Sequence, residues 1–468
     1  MLIERIFDPD LAHAAWMIGC QKTKQAIIID PARDIDRYLS VAKLAKLRIA
    51  AVTETHIHAD FLSGSEELAV TTGATCYLSK EGGSDWSYTW PSKSPANVKL
   101  VGDGDKILVG SIEITVIYTP GHTPEHICFL VSEAGSNEPI GIASGDFVFV
   151  GDLGRPDLLE TAAGIEGSME ASAKELYKSC QDFILMDDYL QVWPAHGAGS
   201  ACGKSLSAVP QSTVGYEKRT SPPLQRIKDE ASFIDFMLTD QPEPPRYFAM
   251  MKRLNRDGVK MLGGIPQPNE ISNPEELLEL SKGKTIIDTR DWPDVREGHL
   301  KGSIWARANG EFHRFAGSFV EASEEIIFIA RQENLDRAIR NAIRIGLDHI
   351  VGYATPETLA RVPDLEVMPE VDAASIDAKS EEINILDVRK QSEFKNGAIP
   401  SAINCSHTKV LNQLDEIDQT TPWIVNCQGG TRSAAACMAL RRQGYDVTNL
   451  AGGYRGWLMF DSQTTVSQ

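Results

Sequence analysis

Short β-branched runs in the N-terminal part of the chain end in polar or turn residues, and this pattern constrains the fold. The runs cover residues 26–30, 49–53 and 112–118 and a stretch that starts at Ile140, and the groups that follow them include His56, His58, His122 and Asp146. Strands that end in this way deliver polar side chains to one rim of a sheet. The pattern therefore predicts an α/β domain with a site at its strand ends.

Length and charge set the outer limits on domain number and partners. The chain has 468 residues and a formal net charge of −19, which predicts about three domains of ordinary size. Nucleic acid and anionic membranes both require a basic face, so neither is an expected partner. The N-terminus is acidic, and no apolar run approaches the roughly 18 residues of a membrane span. We therefore expect a cytoplasmic protein with small-molecule partners, and a homo-oligomer stays open.

The second half of the chain contains an internal repeat. Residues 284–303 resemble residues 384–402, with Asp288-Thr-Arg290 matching Asp387-Val-Arg389. Repetition at a fixed period indicates two copies of one domain. A proline-rich stretch before the first copy predicts a linker. The predicted domains are therefore residues 1–250, 266–364 and 367–468.

Two imidazoles and one carboxylate are the candidate metal ligands. His56, His122 and Asp146 each follow a predicted strand. Together they match the facial triad of non-haem Fe(II) oxygenases, which leaves three coordination positions open. A hydrolytic zinc site would need only one open position for water. The alternative is that these are separate polar residues at strand ends, but three motifs in this order favour a shared metal site.

The N-terminal motifs resemble the persulfide dioxygenases of the metallo-β-lactamase fold. The motifs are Ile29-Asp-Pro31, Thr55-His-Ile-His-Ala-Asp60, Pro120-Gly-His-Thr123, Ser144-Gly-Asp146, Gly154-Arg-Pro-Asp157 and Pro194-Ala-His-Gly197. The resemblance implies an αββα sandwich and one Fe(II) per chain, held by His56, His122 and Asp146. Phe61 replaces the last histidine of the usual His-x-His-x-Asp-His loop, which disfavours a second metal.

Other polar residues near these motifs receive supporting roles. His58, Asp60 and His196 are expected to orient the ligands, because imidazole ligands need outer hydrogen-bond partners. Arg155 and Asp157 are expected to form a structural ion pair. His126 is expected at a helix start or beside the ligands. The reaction that the resemblance implies is oxidation of a small thiol persulfide by O₂ to sulfite and the free thiol.

Cys427 is the candidate nucleophile of the second repeat. It follows an apolar run and precedes Gln428-Gly429-Gly430-Thr431, Arg432 and an alanine-rich helix. Converging backbone N–H groups, a helix start and a nearby arginine all favour thiolate over thiol. The eight cysteines form no CxxC pair, so a reactive role is favoured over a zinc or disulfide role. Cys437, on the predicted helix, is expected to lie in the core.

The Cys427 stretch resembles the rhodanese family of sulfurtransferases. That resemblance makes Cys427 the carrier of a sulfane sulfur, with Arg432 assisting and with Gln428, Gly429, Gly430 and Thr431 binding substrate. The first repeat keeps the rhodanese frame but has no cysteine between Cys202 and Cys405. The expected architecture is therefore the sandwich followed by two rhodanese-like α/β domains, the first degenerate and serving as a spacer or docking domain.

Cys202 and Lys204 follow His196 in a glycine-containing segment. Glycine allows the backbone to approach a ligand, and a lysine could stabilise a thiolate. Cys202 is therefore either a sulfur relay or an inert packing residue.

The motifs together predict a bifunctional enzyme of sulfide detoxification. The first domain would oxidise a persulfide to sulfite, and Cys427 would transfer sulfur to give thiosulfate, or act in the reverse direction. The thiol carrier and the direction stay open. Two alternatives are a zinc thioester hydrolase of the glyoxalase II type and a non-catalytic sulfur-binding sensor or adaptor.

Overall fold

The computed structural model describes residues 1–133, 135–136, 138–161, 167–376 and 383–466. They divide into two compact units. The first comprises Met1–Ile265 with Ile343–Ile345, and the second comprises Pro266–Ala342 with Gly346–Gln468. Within the described ranges, every helix is too short or too polar to cross a membrane.

Two six-stranded sheets form the centre of the first unit. The first sheet has the order β1 to β6, and the second has the order β12-β11-β10-β9-β8-β7. The strands are β1 Leu2–Asp8, β2 His13–Cys20, β3 Gln25–Ile29, β4 Arg48–Thr53, β5 Thr75–Ser79, β6 Asn97–Val101, β7 Lys106–Val109, β8 Ile112–Tyr118, β9 Ile127–Glu133, β10 Pro139–Gly145, β11 Gln191–Pro194 and β12 Ser212–Thr213. Every residue of β2 is buried, because both faces of its sheet are covered.

Helices cover the outer faces of both sheets. They are α1 Asp36–Leu44, α2 Ser65–Thr72, α3 Leu158–Thr161, α4 Ser168–Phe183, α5 Val214–Thr220, α6 Glu230–Leu238 and α7 Phe248–Asp257. Tyr38 of α1 packs with Ile28, and Leu176 of α4 packs with Ile142. A separate cluster that includes Ile27 and Phe129 fills the space between the sheets. The layers confirm the expected αββα sandwich.

The second unit contains two parallel sheets. One has the order β14-β13-β15-β16 and the other β17-β21-β20-β18-β19. Their strands are β13 Thr285–Asp288, β14 Ile304–Trp305, β15 Ile326–Ile329, β16 Ile350–Ala354, β17 Glu370–Val371, β18 Asn384–Asp387, β19 Ile403–Asn404, β20 Trp423–Asn426 and β21 Val447–Leu450. Runs such as Ile326–Ile329 are fully buried, as parallel strands covered on both faces require.

The helices of the second unit are α8 Pro274–Ser281, α9 Trp292–Glu297, α10 Phe312–Phe319, α11 Gln332–Arg344, α12 Pro356–Leu359, α13 Gln391–Lys395, α14 Thr431–Arg442 and α15 Gly453–Val466. The central strands β13 and β15 of one sheet occupy the places of β18 and β20 in the other. This correspondence supports the internal repeat, while the predicted domain boundaries stay predictions.

Gly121 allows the turn before His122 to pack against α4. Its φ is +139°, and a Cβ built there would lie 2.4 Å from the Leu176 Cα. Gly73 has a φ of +68°, but a Cβ there would meet nothing within 4 Å. Gly121→Ala should therefore lower the free energy of unfolding by about 3 kcal/mol, from backbone strain and overpacking, and Gly73→Ala by about 1 kcal/mol. Urea denaturation measures both; equal effects would contradict the packing account.

Candidate metal centre and cysteine loop

His56, His122 and Asp146 converge at the strand ends of the first unit. His122 Nε2 lies 3.4 Å from Asp146 Oδ2, and His56 Nε2 lies 4.0 Å from the same oxygen. One ligand atom of each residue lies within 4.8 Å of the others, and all three side chains are buried. The geometry therefore brings together the three ligands that the motifs predicted.

Hydrogen bonds leave the Nε2 lone pairs of both imidazoles facing the carboxylate. His122 Nδ1 donates to the Arg155 carbonyl oxygen at 2.9 Å. The Thr55 hydroxyl donates to Asp30 Oδ2 at 2.9 Å, so its oxygen accepts from His56 Nδ1 at 2.9 Å. Because Nδ1 carries the proton in each ring, Nε2 is available to a metal.

The electrostatics of the three residues also fit a cation. Burial lowers the pKa of His122 to about 4 and that of His56 well below its usual value, so both are neutral at pH 7. Burial raises the pKa of Asp146 to about 6. In the described part of the chain, no N–H or O–H group donates to either carboxylate oxygen of Asp146. The Cys202 thiol, a weak donor, is the side chain that acts on this carboxylate by hydrogen bonding. A buried carboxylate with so little donation is costly unless a cation lies beside it.

His58 and Asp30 form an ion pair below this cluster. Burial lowers the pKa of His58, but the Asp30 charge and hydrogen bond outweigh it and raise that pKa to about 9. His58 Nε2 lies 3.2 Å from Asp30 Oδ1. Asp30 thus occupies the Nε2 side of this ring, which agrees with a supporting role for His58. The motifs did not indicate this role of Asp30, and its position before Pro31 is the one signal in the sequence. In the structure its φ of +54° marks a constrained residue.

A second cluster joins Asp60, His196 and Cys202. His196 Nε2 lies 3.2 Å from Asp60 Oδ2 and 3.5 Å from Asp146 Oδ1, and Cys202 Sγ completes a group within 4.8 Å. His196 Nδ1 donates to the Ala12 carbonyl oxygen at 3.2 Å, so its Nε2 lone pair faces two carboxylates. This arrangement is a second candidate cation position. The motifs predicted only a supporting role for Asp60 and His196.

The expected action of Lys204 on Cys202 is wrong. The Lys204 ammonium donates to the carbonyl oxygens of Phe236 and Thr239 and lies 3.8 Å from the Phe236 ring centre. Burial, and then the charges of Asp60 and Asp146, raise the pKa of the Cys202 thiol well above its usual value. Cys202 is therefore a buried thiol, because carboxylates rather than the lysine surround it.

His126 and Arg155 hold the loops that carry the ligands. Arg155 forms a bidentate ion pair with Asp157, as expected. His126 donates from Nδ1 towards the Thr119 hydroxyl at 2.8 Å and accepts from the Asp146 N–H at Nε2. The expected helix start at His126 is wrong, because the residue directly precedes strand β9. Both nitrogens are engaged, so His126 supports Asp146 and is no ligand.

Cys427 lies between β20 and α14, in a loop that supplies donors to its sulfur. The Gly430 N–H donates to Cys427 Sγ at 3.1 Å, and the Ser433 hydroxyl lies 3.5 Å from the same atom. Gly430 has a φ of +99°, which turns its N–H inward. Both donors are directed at the sulfur, so the loop lines Cys427 with donors, while the nucleophilic role of Cys427 stays a prediction. The contribution of Ser433 was not foreseen.

Carboxylates balance the arginines around this loop. Arg432 forms a bidentate ion pair with Glu393 at 2.7 and 2.8 Å, so its charge acts on the sulfur less directly than expected. Arg389 pairs with Asp387, donates to Gln428 Oε1 at 3.3 Å and stacks over Tyr454. Glu393 and Tyr454 lie far from Cys427 in sequence, and no motif indicated them.

The first repeat has Ala330 where the second has Cys427. Ala330 directly follows β15 and is followed by α11, as Cys427 follows β20 and is followed by α14. An alanine offers no sulfur, so this junction cannot form a persulfide.

Thr55 offers a test of the metal centre. Thr55→Val should weaken metal binding by about ten- to hundredfold, because His56 loses the partner that fixes its tautomer. Thr53→Val is the matched control, since the Thr53 hydroxyl donates to the Tyr77 carbonyl oxygen. Metal retention during competition with a chelator measures the effect; equal retention by both variants would contradict it.

Comparison with known proteins agrees with this architecture. Residues 8–196 match the metallo-beta-lactamase superfamily, and residues 371–459 match the rhodanese-like domain. The chain is similar to the crystal structure of a metallo-beta-lactamase from Staphylococcus aureus subsp. aureus COL, at 40% identity and a TM-score of 0.70 over 76% of this chain and 99% of that one. ETHE1 from Myxococcus xanthus is 27% identical, with a TM-score of 0.44 over 55% of this chain and 98% of that one.

Two relatives found by sequence comparison are less similar to the chain than the staphylococcal protein is. The beta-lactamase hydrolase-like protein of Xylella fastidiosa (strain 9a5c) is 27% identical over 288 residues, which are 57% of this chain and 62% of that protein. The protein of the same description from Agrobacterium fabrum is 28% identical over 251 residues, which are 49% of this chain and 53% of that protein. The chain thus spans less than two thirds of their length. From the extended match to the staphylococcal structure and the two domain matches, the chain belongs to the metallo-β-lactamase superfamily and carries a rhodanese-like domain.

Proposed function

We propose that the chain is a bifunctional enzyme of sulfur metabolism. Its first unit oxidises a small thiol persulfide with O₂ to sulfite and free thiol. Its second unit transfers a sulfane sulfur through Cys427, either from a persulfide to sulfite or in the reverse direction. The observation that carries the proposal is the presence, in one chain, of a three-ligand centre and a donor-lined cysteine loop.

The first site fits a single Fe(II). His56, His122 and Asp146 would hold the ion, since two imidazole lone pairs already face a carboxylate that no N–H or O–H group of the described residues donates to. Fe(II) with this ligand set keeps open positions and supplies the redox chemistry that O₂ requires. The fit rests on this donor set and on the absence, within the described residues, of N–H or O–H groups that would neutralise Asp146.

The proposed oxidation balances without a further reductant. A persulfide RSS⁻ reacts with O₂ and H₂O to give RSH, SO₃²⁻ and H⁺; the terminal sulfur is oxidised, O₂ is reduced, and the S–S bond breaks. The ligand residues are at most 2% exposed, so the chain keeps bulk water away from them. Arg155 holds the tautomer of His122 through its carbonyl oxygen, and His126 holds the Asp146 backbone.

The proposed transfer also balances. The Cys427 thiolate attacks the outer sulfur of RSS⁻, whose S–S bond breaks and releases RS⁻. Sulfite then attacks the outer sulfur of the Cys427 persulfide, the bond between Cys427 Sγ and that sulfur breaks, its electron pair returns to Sγ, and thiosulfate leaves. Gly430 N–H and the Ser433 hydroxyl would stabilise the restored thiolate, because charge-assisted hydrogen bonds are the stronger ones. Tethering the two activities raises the effective concentration of sulfite at Cys427.

A zinc thioester hydrolase is the second candidate function. It is favoured by the cluster of Asp60, His196 and Cys202, which offers a second cation position beside Asp146. A dinuclear zinc pair could then activate water. Phe61 acts against it, because this residue, fully buried against His58 and His13, stands where a further imidazole ligand would be expected.

Substitution of Cys427 separates the two proposed activities. Cys427→Ser should abolish thiosulfate formation from persulfide, so that sulfite accumulates, while O₂ uptake continues. Cys437→Ser is the control, because the Cys437 thiol is buried in α14 and burial raises its pKa above the usual value. Product analysis by ion chromatography with an oxygen electrode measures both. Thiosulfate formation by Cys427→Ser, or loss of O₂ uptake in it, would contradict the division of labour.

A further inference from the structure

The loop after β19 passes next to the Cys427 loop. The His407 N–H donates to the Val388 carbonyl oxygen at 3.1 Å, and the Val388 N–H donates to the Asn426 carbonyl oxygen at 2.8 Å. Asn426 directly precedes Cys427. His407 therefore lies at the same rim of the five-stranded sheet as the proposed nucleophile.

The His407 imidazole is buried without a satisfactory partner. Its side chain is 7% exposed, and within the described ranges neither ring nitrogen makes a hydrogen bond of normal geometry. The Val388 carbonyl is near enough to act on its pKa but does not complete such a bond. Buried polar groups without partners are rare and mark an absent ligand or a strained site.

The charges of two arginines act on this imidazole. Burial first, and then the charges of Arg432 and Arg314, lower the pKa of His407 to about 3; Glu393 and the Val388 carbonyl act in the opposite direction. His407 is therefore neutral at pH 7 in cationic surroundings, where a bound anion would be stabilised.

Arg314 belongs to α10 of the first repeat. Its neighbour Phe315 contacts His407 edge to face, with ring centres 5.9 Å apart. Arg314 is half-buried, and no carboxylate of the described residues pairs with its guanidinium. By contrast, Arg389 and Arg432 pair with Asp387 and Glu393. Arg314 thus carries the unbalanced positive charge beside His407.

We propose that Arg314 and His407 form an oxyanion site that holds sulfite or thiosulfate beside Cys427. The first repeat, which lacks the cysteine, then supplies part of the binding site of the second repeat and is more than a spacer. Guanidinium matches the oxygens of a sulfur oxyanion in charge and geometry, and an imidazole N–H adds a single donor. This inference deepens the proposed function and rests on its transfer step.

Binding to the full chain tests the site without turnover. Thiosulfate and, separately, sulfite are titrated into Cys427→Ser and into Cys427→Ser with Arg314→Ala, by calorimetry. Loss of a charge-assisted hydrogen bond should weaken affinity about tenfold or more, and Arg314→Lys should recover part of it. Arg307→Ala is the control, because Arg307 is exposed and paired with Asp291. In the chain with Cys427 intact, Arg314→Ala should raise the KM for thiosulfate with little change in kcat.

His407→Leu separates a binding role from a structural one. Because the buried imidazole lacks good partners, His407→Leu should preserve or raise the melting temperature and still weaken oxyanion binding. Lower stability with unchanged affinity would overturn the site, as would equal affinity losses in Arg314→Ala and Arg307→Ala. Unchanged affinity in Arg314→Ala would contradict the oxyanion site but leave the proposed transfer step standing. If Cys427→Ser itself binds neither anion, both the site and the proposed transfer step fail, while O₂ uptake still tests the first unit.

Discussion

The first site depends on the charge of the buried Asp146 carboxylate. It faces the Nε2 lone pairs of His56 and His122, and no N–H or O–H donor of the described residues reaches it. A charged group in such surroundings would otherwise be protonated or would destabilise the fold. A bound cation resolves the conflict, so the strand ends, the Thr55 hydroxyl and the Arg155 carbonyl serve to keep this charge and these lone pairs in place.

In the second unit, the charged groups near the proposed nucleophile are arginines rather than a carboxylate. Arg389 and Arg432 are paired with carboxylates, so the donors nearest the Cys427 sulfur are the neutral Gly430 N–H and Ser433 hydroxyl. The unbalanced charge at this rim comes from Arg314 of the first repeat. Ala330 offers no sulfur, but α10 of the same repeat still reaches this rim, because Phe315 contacts His407.

Much of this arrangement follows from local sequence. The αββα layers follow from the resemblance of the N-terminal motifs to the metallo-β-lactamase fold, while the strand pattern by itself predicts only an α/β domain with a site at its strand ends. His56, His122 and Asp146 converge because each follows a strand that ends at this site. Cys427 was found because a strand, a glycine loop and a helix are contiguous in the chain. Contacts between distant segments were missed: Glu393 on Arg432, Asp30 on His58, and Lys204 turned towards the main chain. Such contacts depend on tertiary packing, which no local motif encodes.

The metal content of the purified chain, measured together with O₂ consumption on a panel of small thiol persulfides, tests the central claim most directly. The account predicts a single iron per chain and O₂ uptake that disappears when the iron is removed by a chelator and returns when Fe(II) is restored. Two zinc ions per chain, with no O₂ uptake on any persulfide, would contradict it and favour the hydrolase.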